Sequence, residues 1–322
     1  MPDLPLISVI IPNWNGAHHL PTCLDSLRRQ TYPHFEVIVV DNNSDDDSLA
    51  LMEREYTEVR VMPLQENRGY AGGVNAGINA AQGEIIAVLN NDTEADPRWL
   101  AELCAGLERR PEAGAATSKM LLFDRRQVIN SAGDFYTMDG LPGNRGVWQL
   151  DEGQFDREEM IFSAHGAASA FRRSMLLDLA SQGGSQVFDE DFFAYCEDVD
   201  LGWRAQLAGY QCLYVPTAIV YHRLSATGGG KIASYYTGRN FIYILAKDYP
   251  GSLFKKHWRR IIRAQLRITW EAVKAWRGEA ARARLRGQLA GLCSLPRMLR
   301  KRRRIQESRA VSNQYLESIL RH

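Results

Sequence analysis

Residues 85–93 read Ile85-Ile86-Ala87-Val88-Leu89-Asn90-Asn91-Asp92-Thr93: five apolar residues in a row, then an abrupt polar turn. So short a continuous apolar run, bounded by turn residues, marks a strand buried on both faces. Working outward, residues 7–11 and 36–40 are β-branched runs that also end in polar turns, and residues 58–62 form a weaker third. Between the first two, Leu20, Cys23, Leu24 and Leu27 recur at helical spacing within residues 19–29. Residues 74–81 predict a helix of small side chains, and residues 99–108 another, opened by the N-cap and first-turn pair Asp96-Pro97. Strand–helix alternation of this kind predicts an α/β protein whose parallel sheet is covered on both faces. Such sheets bind ligands at the carboxyl ends of their strands, so the turns after the strands are where chemistry is expected.

Four of those turns are unusually polar. They are Pro12-Asn13-Trp14-Asn15-Gly16, Asp41-Asn42-Asn43-Ser44-Asp45, Glu66-Asn67-Arg68-Gly69-Tyr70-Ala71-Gly72-Gly73 and Asn90-Asn91-Asp92-Thr93. Any one of them is explained by turn building alone. Four in register at one sheet edge supply amides, carboxylates, an arginine and glycine-lined backbone, which is what a nucleoside diphosphate requires. Asp92 offers a hard oxygen to a cation, Mg²⁺ or Mn²⁺, that would neutralise a departing diphosphate.

Farther along, residues 188–201 place six acidic side chains within twelve positions, interleaved with aromatics. Crowded carboxylates raise one another's proton affinity, which suits a general base, although a helix N-terminus also favours acidic residues. His222 follows another strand, residues 212–220, where a neutral imidazole could complete a metal shell beside Asp92. Residues 167–179 and 199–207 predict helices, and residues 124–160 a loop-and-hairpin segment.

The 322 residues are 45% hydrophobic, enough for a sizeable core, so wholesale disorder is excluded. No run approaches the length of a spanning helix, and MPDLPLISVIIP has no basic region before its apolar run, so no signal peptide is expected. Five scattered cysteines without a Cys-x-x-Cys pair argue against a disulfide scaffold or zinc ribbon. The net charge of +1 conceals a strong asymmetry: residues 250–322 carry 19 basic and 4 acidic side chains, a net of +15 against −14 for the rest. From residue 254 on, Phe254, Trp258, Ile262, Leu266, Val273 and Trp276 fall on one helical face among arginines, and an Arg/Lys cluster occupies residues 300–304. An acidic body with such a tail is expected to meet an anionic surface. Lys247-Asp248-Tyr249-Pro250-Gly251 marks the boundary between the two.

Taken together, Val9 to Gly16, Val40 to Ser44, Glu66 to Gly73, Leu89 to Thr93, His165-Gly166-Ala167-Ala168, Glu197-Asp198-Val199-Asp200-Leu201 and Tyr221-His222 resemble, in order, a family 2 glycosyltransferase of the rhamnosyltransferase-like branch. The resemblance implies a GT-A type (Rossmann-like), mostly parallel central sheet with helices on both faces and a C-terminal basic helical extension. It further implies a catalytic domain over 1–248, with a nucleotide-sugar half about 1–120 and an acceptor half about 121–248, and a basic amphipathic region over 249–322. Carried over residue by residue, it makes Asp198 the catalytic base and places Pro12, Asn15, Asp41, Asn43, Asn67, Arg68, Gly73, Asn90 and Asn91 along the donor. Asp92 and His222 would hold Mg²⁺ or Mn²⁺, with Asn90 replacing the first carboxylate of the family's DXD motif. Trp148, His165, Glu197 and Trp203 are assigned to the acceptor side. The implied reaction is inverting, metal-dependent transfer of a sugar from a nucleoside-diphosphate donor, dTDP-rhamnose as first choice, to a lipid-linked saccharide or polysaccharide in bacterial cell-surface glycan synthesis. UDP-hexose or UDP-galactofuranose transfer, or a non-catalytic sugar-nucleotide-binding relative, are the alternatives. The expected setting is the cytoplasmic face of the inner membrane, with residues 254–304 on anionic lipid. No nucleic-acid partner is expected, and a homodimer is left open.

Overall fold

A computed structural model of the chain describes residues 4–183, 186–223 and 230–321; residues 1–3 of the N-terminal stretch considered above lie outside it. β1 (Ile7–Asn13) leads through α1 (Leu20–Arg28) to β2 (Phe35–Asp41), then α2 (Ser48–Glu55), β3 (Arg60–Pro63), α3 (Gly69–Ala80) and β4 (Ile85–Leu89). Next come β5 (Thr93–Ala95), α4 (Trp99–Arg109), β6 (Ala113–Leu122), β7 (Ile129–Ser131), β8 (Asp134–Tyr136), β9 (Pro142–Asn144) and β10 (Glu159–Ile161). β11 (Ala168–Arg172) runs directly into α5 (Arg173–Gly183), and a 3-10 turn at Glu190–Phe192 precedes α6 (Glu197–Ala208) and the long β12 (Gln211–His222). The chain then turns helical, through α7 (Lys231–Lys247), α8 (Gly251–Lys274), α9 (Glu279–Cys293), α10 (Leu295–Glu307) and α11 (Asn313–Ile319).

The main sheet runs β10-β12-β6-β11-β4-β1-β2-β3, with β5 on β12 and β7 on β6. It is parallel from β3 to β4 and mixed beyond, where β11 lies antiparallel between β4 and β6. Alternation along β1 divides its side chains between two cores. Val9 and Ile11 pack with Leu24, Trp99 and Leu103 on one face, while Ile10 meets Val40, Val74 and Ile78 on the other. Each such fully buried aliphatic side chain stabilises the fold by about 2 kcal/mol.

Three register relations position the site. Asn13 lies opposite Asp41, so the first two turns are adjacent. Leu89 lies opposite Ala168, which sets residues 165–167 beside the turn after β4. Thr93 of β5 lies opposite His222 of β12, which places Asp92 next to the end of a strand 130 positions away in the chain.

Local differences from the sequence expectations have physical causes. Residues 167–179 form a strand and then a helix, not one helix: residues 168–172 are held by ladders to β4 on one edge and β6 on the other, and this tertiary pairing overrides the weak strand propensity of alanine. α3 begins at Gly69 rather than 74, because Gly69 adopts φ +69° and a Cβ there would lie 2.4 Å from the Phe193 carbonyl. α2 was not anticipated; only Ser48 and Met52 of its eight residues are buried, too few to print a period. The hairpin expected within 124–160 is β8–β9.

A third core joins α6 to the C-terminal helices: Tyr136, Phe162, Trp203 and Tyr249 pack with Leu253, Ile261, Met298 and Leu316. The basic extension is thus bound to the body over part of its surface.

Candidate active site

The ends of β1, β4 and β12, the hairpin β8–β9, the loop before α6 and the start of α7 enclose a cavity of about 960 Å³. Asn91, Asp92 and His222 line one part of it, Glu197 and Asp198 another, and Pro12, Asn67, Asn90, Trp148 and His165 also face it. Side chains far apart in the chain therefore converge on a single cleft.

On the first wall, His222 Nε2 lies 3.2 Å from Asp92 Oδ1, and His222 Nδ1 lies 2.9 Å from Asn130 Oδ1. With Nδ1 donating to the amide oxygen, Nε2 is left facing the Asp92 carboxylate. Asp92 is buried, and its Oδ1 has no hydrogen-bond partner among the described residues; nor has the buried Asn90 Oδ1. A buried carboxylate oxygen left open beside an imidazole nitrogen fits a divalent cation. No cluster of three or more His, Cys, Asp or Glu capable of holding a metal occurs among the described residues. Asn91 Nδ2 donates to Asn13 Oδ1 (2.7 Å) and Asn13 Nδ2 to Asp41 Oδ1 (3.0 Å), so Asn13 ties the first, second and fourth turns together.

A second part of the lining is a strained loop. Phe193, Tyr195 and Cys196 all have positive φ (64°, 68° and 67°), each a conformation that costs about 1–3 kcal/mol. Neighbours hold them there: Asn240 Nδ2 donates to the carbonyls of Phe192, Ala194 and Tyr195 (3.1, 3.0 and 2.6 Å). Arg239 Nη2 donates to those of Asp191 and Phe192, both at 2.7 Å. The loop delivers Glu197 and Asp198 to the first turn of α6. Asp198 Oδ2 accepts the Gly166 N–H and Oδ1 its neighbour Val199 N–H, both at 2.8 Å, so backbone dipoles face the carboxylate. Gly166 lets the two segments approach closely: a Cβ there would lie 3.1 Å from Asp198 Oδ2, which would have to shift by a few tenths of an ångström. Tyr70 donates its hydroxyl to the Gly166 carbonyl, clamping the same segment.

Beside it, Glu197 is buried, with Oε2 unpartnered among the described residues. Burial, reinforced by the Asp198 charge, pushes its carboxyl well above the usual range and so favours its neutral form. Asp134, on the hairpin, is likewise raised by burial and by Asp198, and accepts from Asn144 Nδ2 (2.8 Å). His165 is pushed down by burial; its Nδ1 accepts the Ala167 N–H (3.0 Å).

The rest of the acidic run is structural. Asp189 pairs with Lys247 (2.6 Å) and Lys301 (2.5 Å), Asp191 with Lys301 (2.6 Å) and Arg297, and Asp200 with Arg204 (3.0 Å) and Lys247. Burial alone would raise Asp189; the two lysines outweigh it and hold the carboxyl well below its usual range.

Several residues expected at the site do not line the cavity. Trp203 is fully buried against Tyr136, Phe162 and Tyr249, so it cannot touch an acceptor. Asp41 is fully buried, its Oδ1 receiving Asn13 and Ser44 and its Oδ2 the Ser44 N–H. Arg68 is drawn away by a fork of bonds to both Glu190 oxygens (2.8 and 2.9 Å). Asn15 and Asn43 build turns at positive φ, and Gly73 packs against Asn42. Conversely, Asn13, Asn130, Asp134 and Tyr70 line the cavity unannounced. Asn13 and Tyr70 sat in turns already singled out, whereas Asn130 and Asp134 lie in a segment without periodicity.

Comparison with known proteins agrees with this architecture. The model of "Glycosyl transferase family 2" matches residues 8–179. The chain is 34% identical over 235 residues to the O-antigen biosynthesis protein RfbC of Myxococcus xanthus, covering 69% of this chain but only 18% of that protein's length. It is 28% identical over 287 residues to the N-acetylglucosaminyl-diphospho-decaprenol L-rhamnosyltransferase of Mycobacterium tuberculosis, covering 82% of this chain and 91% of the other. The mannosyltransferase PcManGT of Pyrobaculum calidifontis, solved with GDP-Man and Mn²⁺, superposes with a TM-score of 0.54 at 18% identity, covering 98% and 83% of the two chains. The fold is thereby of the GT-A type.

Proposed function

This chain belongs to glycosyl transferase family 2, and on that premise we propose that it is an inverting glycosyltransferase moving a sugar, rhamnose in first place, from a nucleoside diphosphate to a hydroxyl of a lipid-linked saccharide in cell-surface glycan synthesis. The observation that carries this reading is the convergence of Asp198 with the Asp92–His222 pair on one cavity. The Mycobacterium relative, whose name specifies a rhamnosyltransferase, supports the choice of sugar and of a diphospho-lipid acceptor.

Asp92 and His222 are the residues that would hold Mg²⁺ or Mn²⁺, which when bound neutralises charge on the departing diphosphate. Asp198 accepts the proton of the acceptor hydroxyl as that oxygen bonds to the anomeric carbon. The bond from that carbon to the diphosphate oxygen breaks on the opposite side, and a single displacement inverts the centre. Glu197, whose neutral form burial and the Asp198 charge favour, limits the build-up of a second charge beside the base. Asn90, Asn91, Asn67 and Pro12 line the end where the nucleotide diphosphate would lie.

A thermal-shift panel of nucleotide sugars with and without Mn²⁺ tests the donor, because a ligand bound only by the native state raises its melting temperature. A shift specific to dTDP-rhamnose, and transfer with inverted anomeric configuration by NMR, is expected. Stabilisation by UDP-hexoses alone would replace the sugar, and a retained configuration would overturn the mechanism.

A further inference from the structure

α8 presents three faces. Leu253, Ile261, Ala264 and Ala272 are buried against the body. A second face, Phe254, Trp258, Ile262, Leu266, Trp270 and Val273, recurs at steps of four and three yet lies open, with Leu266 62% and Trp270 58% exposed. Trp276, at 58%, continues it past the helix end. The third face carries Arg259, Arg260, Arg263 and Arg267, all exposed and without an ion pair among the described residues. The apolar stripe is therefore not the inner face of an amphipathic helix awaiting its own core; that face is already filled.

From this geometry we propose that α8 lies in the surface of an anionic lipid bilayer, with its tryptophans and leucine among the headgroups and acyl chain tops and its arginines on lipid phosphates. Tryptophan favours that zone because one side of the indole is apolar and its N–H can stay wet. The charge pattern selects the occupant. A second copy docking on the same stripe would cover the apolar row but bring no anionic partner to the arginines, whereas an anionic headgroup layer meets both the apolar and the cationic rows at once. No helix among the described residues is long and apolar enough to cross a membrane, so the contact is peripheral in kind. The inference stands apart from the donor and the reaction proposed above.

The full chain, incubated with vesicles of phosphatidylglycerol and phosphatidylcholine in equal parts, is expected to co-sediment and to shift its tryptophan emission to the blue, in a salt-sensitive manner. Pure phosphatidylcholine vesicles should bind it at least about tenfold less. Two variants at exposed positions, Arg259→Glu/Arg263→Glu/Arg267→Glu and Trp258→Ser/Leu266→Ser/Trp270→Ser, should each lose about tenfold in partitioning while keeping wild-type circular dichroism and melting. Undiminished binding by either folded variant would overturn the proposal. So would equal binding to neutral vesicles, or a dimer in light scattering that the serine variant dissolves.

Discussion

Lys301 Nζ of α10 lies 2.5 Å from Asp189 and 2.6 Å from Asp191, a few positions before the loop that carries Asp198. Lys247 of α7 reaches the same Asp189 from the buried side. The C-terminal helices therefore hold the strained segment from which the proposed base projects. Removing the Lys301 charge by Lys301→Ala is expected to lower kcat severalfold while leaving the donor KM unchanged, since Lys301 touches neither. Equal effects on both would make it a general stability residue.

Lys247 is fully buried between Asp189 and Asp200. Lys247→Met should destabilise the protein by about 3 kcal/mol, because truncating one partner leaves buried carboxylates under-compensated. Urea unfolding measures this; a loss near zero would mean that water or Arg204 and Lys301 take over the charge.

Asp198→Asn keeps the shape of the side chain and its Gly166 contact but removes the proton acceptor. Turnover should fall about a thousandfold with donor-induced thermal stabilisation intact. Near-wild-type rates would take the role away from Asp198.

Asn130 orients His222 through Nδ1. Asn130→Ala should weaken Mn²⁺ binding in the presence of nucleoside diphosphate by about tenfold, seen by calorimetry. Unchanged affinity would argue that His222 is not a ligand.

Glu197 holds a proton in the folded state that an unfolded glutamate releases near about pH 4.3. A raised folded pKa stabilises fully below that pH, and the contribution is lost as pH rises through the folded value. Glu197→Gln should therefore match the wild type in urea midpoint near about pH 4 and exceed it near about pH 8. Coincident midpoints across the range would show the carboxyl to be ionised in the fold.

The sequence alone determined the strands β1 to β4 and β12, the polar turns after the first four and the charge asymmetry, because those depend on side-chain periodicity and composition within a few residues. Asp92, His222 and Asp198 were legible as candidates since strand ends and a dense acidic run are local features. Only the tertiary structure could show that β5 pairs with β12 and so sets Thr93 opposite His222. It also separated the acidic run into Asp198 facing the cavity, Glu197 with its proton affinity raised by burial, and four salt-bridged anchors, Asp189, Glu190, Asp191 and Asp200, a division decided by distant lysines and arginines. Asp41, Arg68 and Trp203 left the expected site for the same reason: hydrogen bonding and burial are settled by which neighbours the packed chain supplies, and no local stretch of residues carries that information.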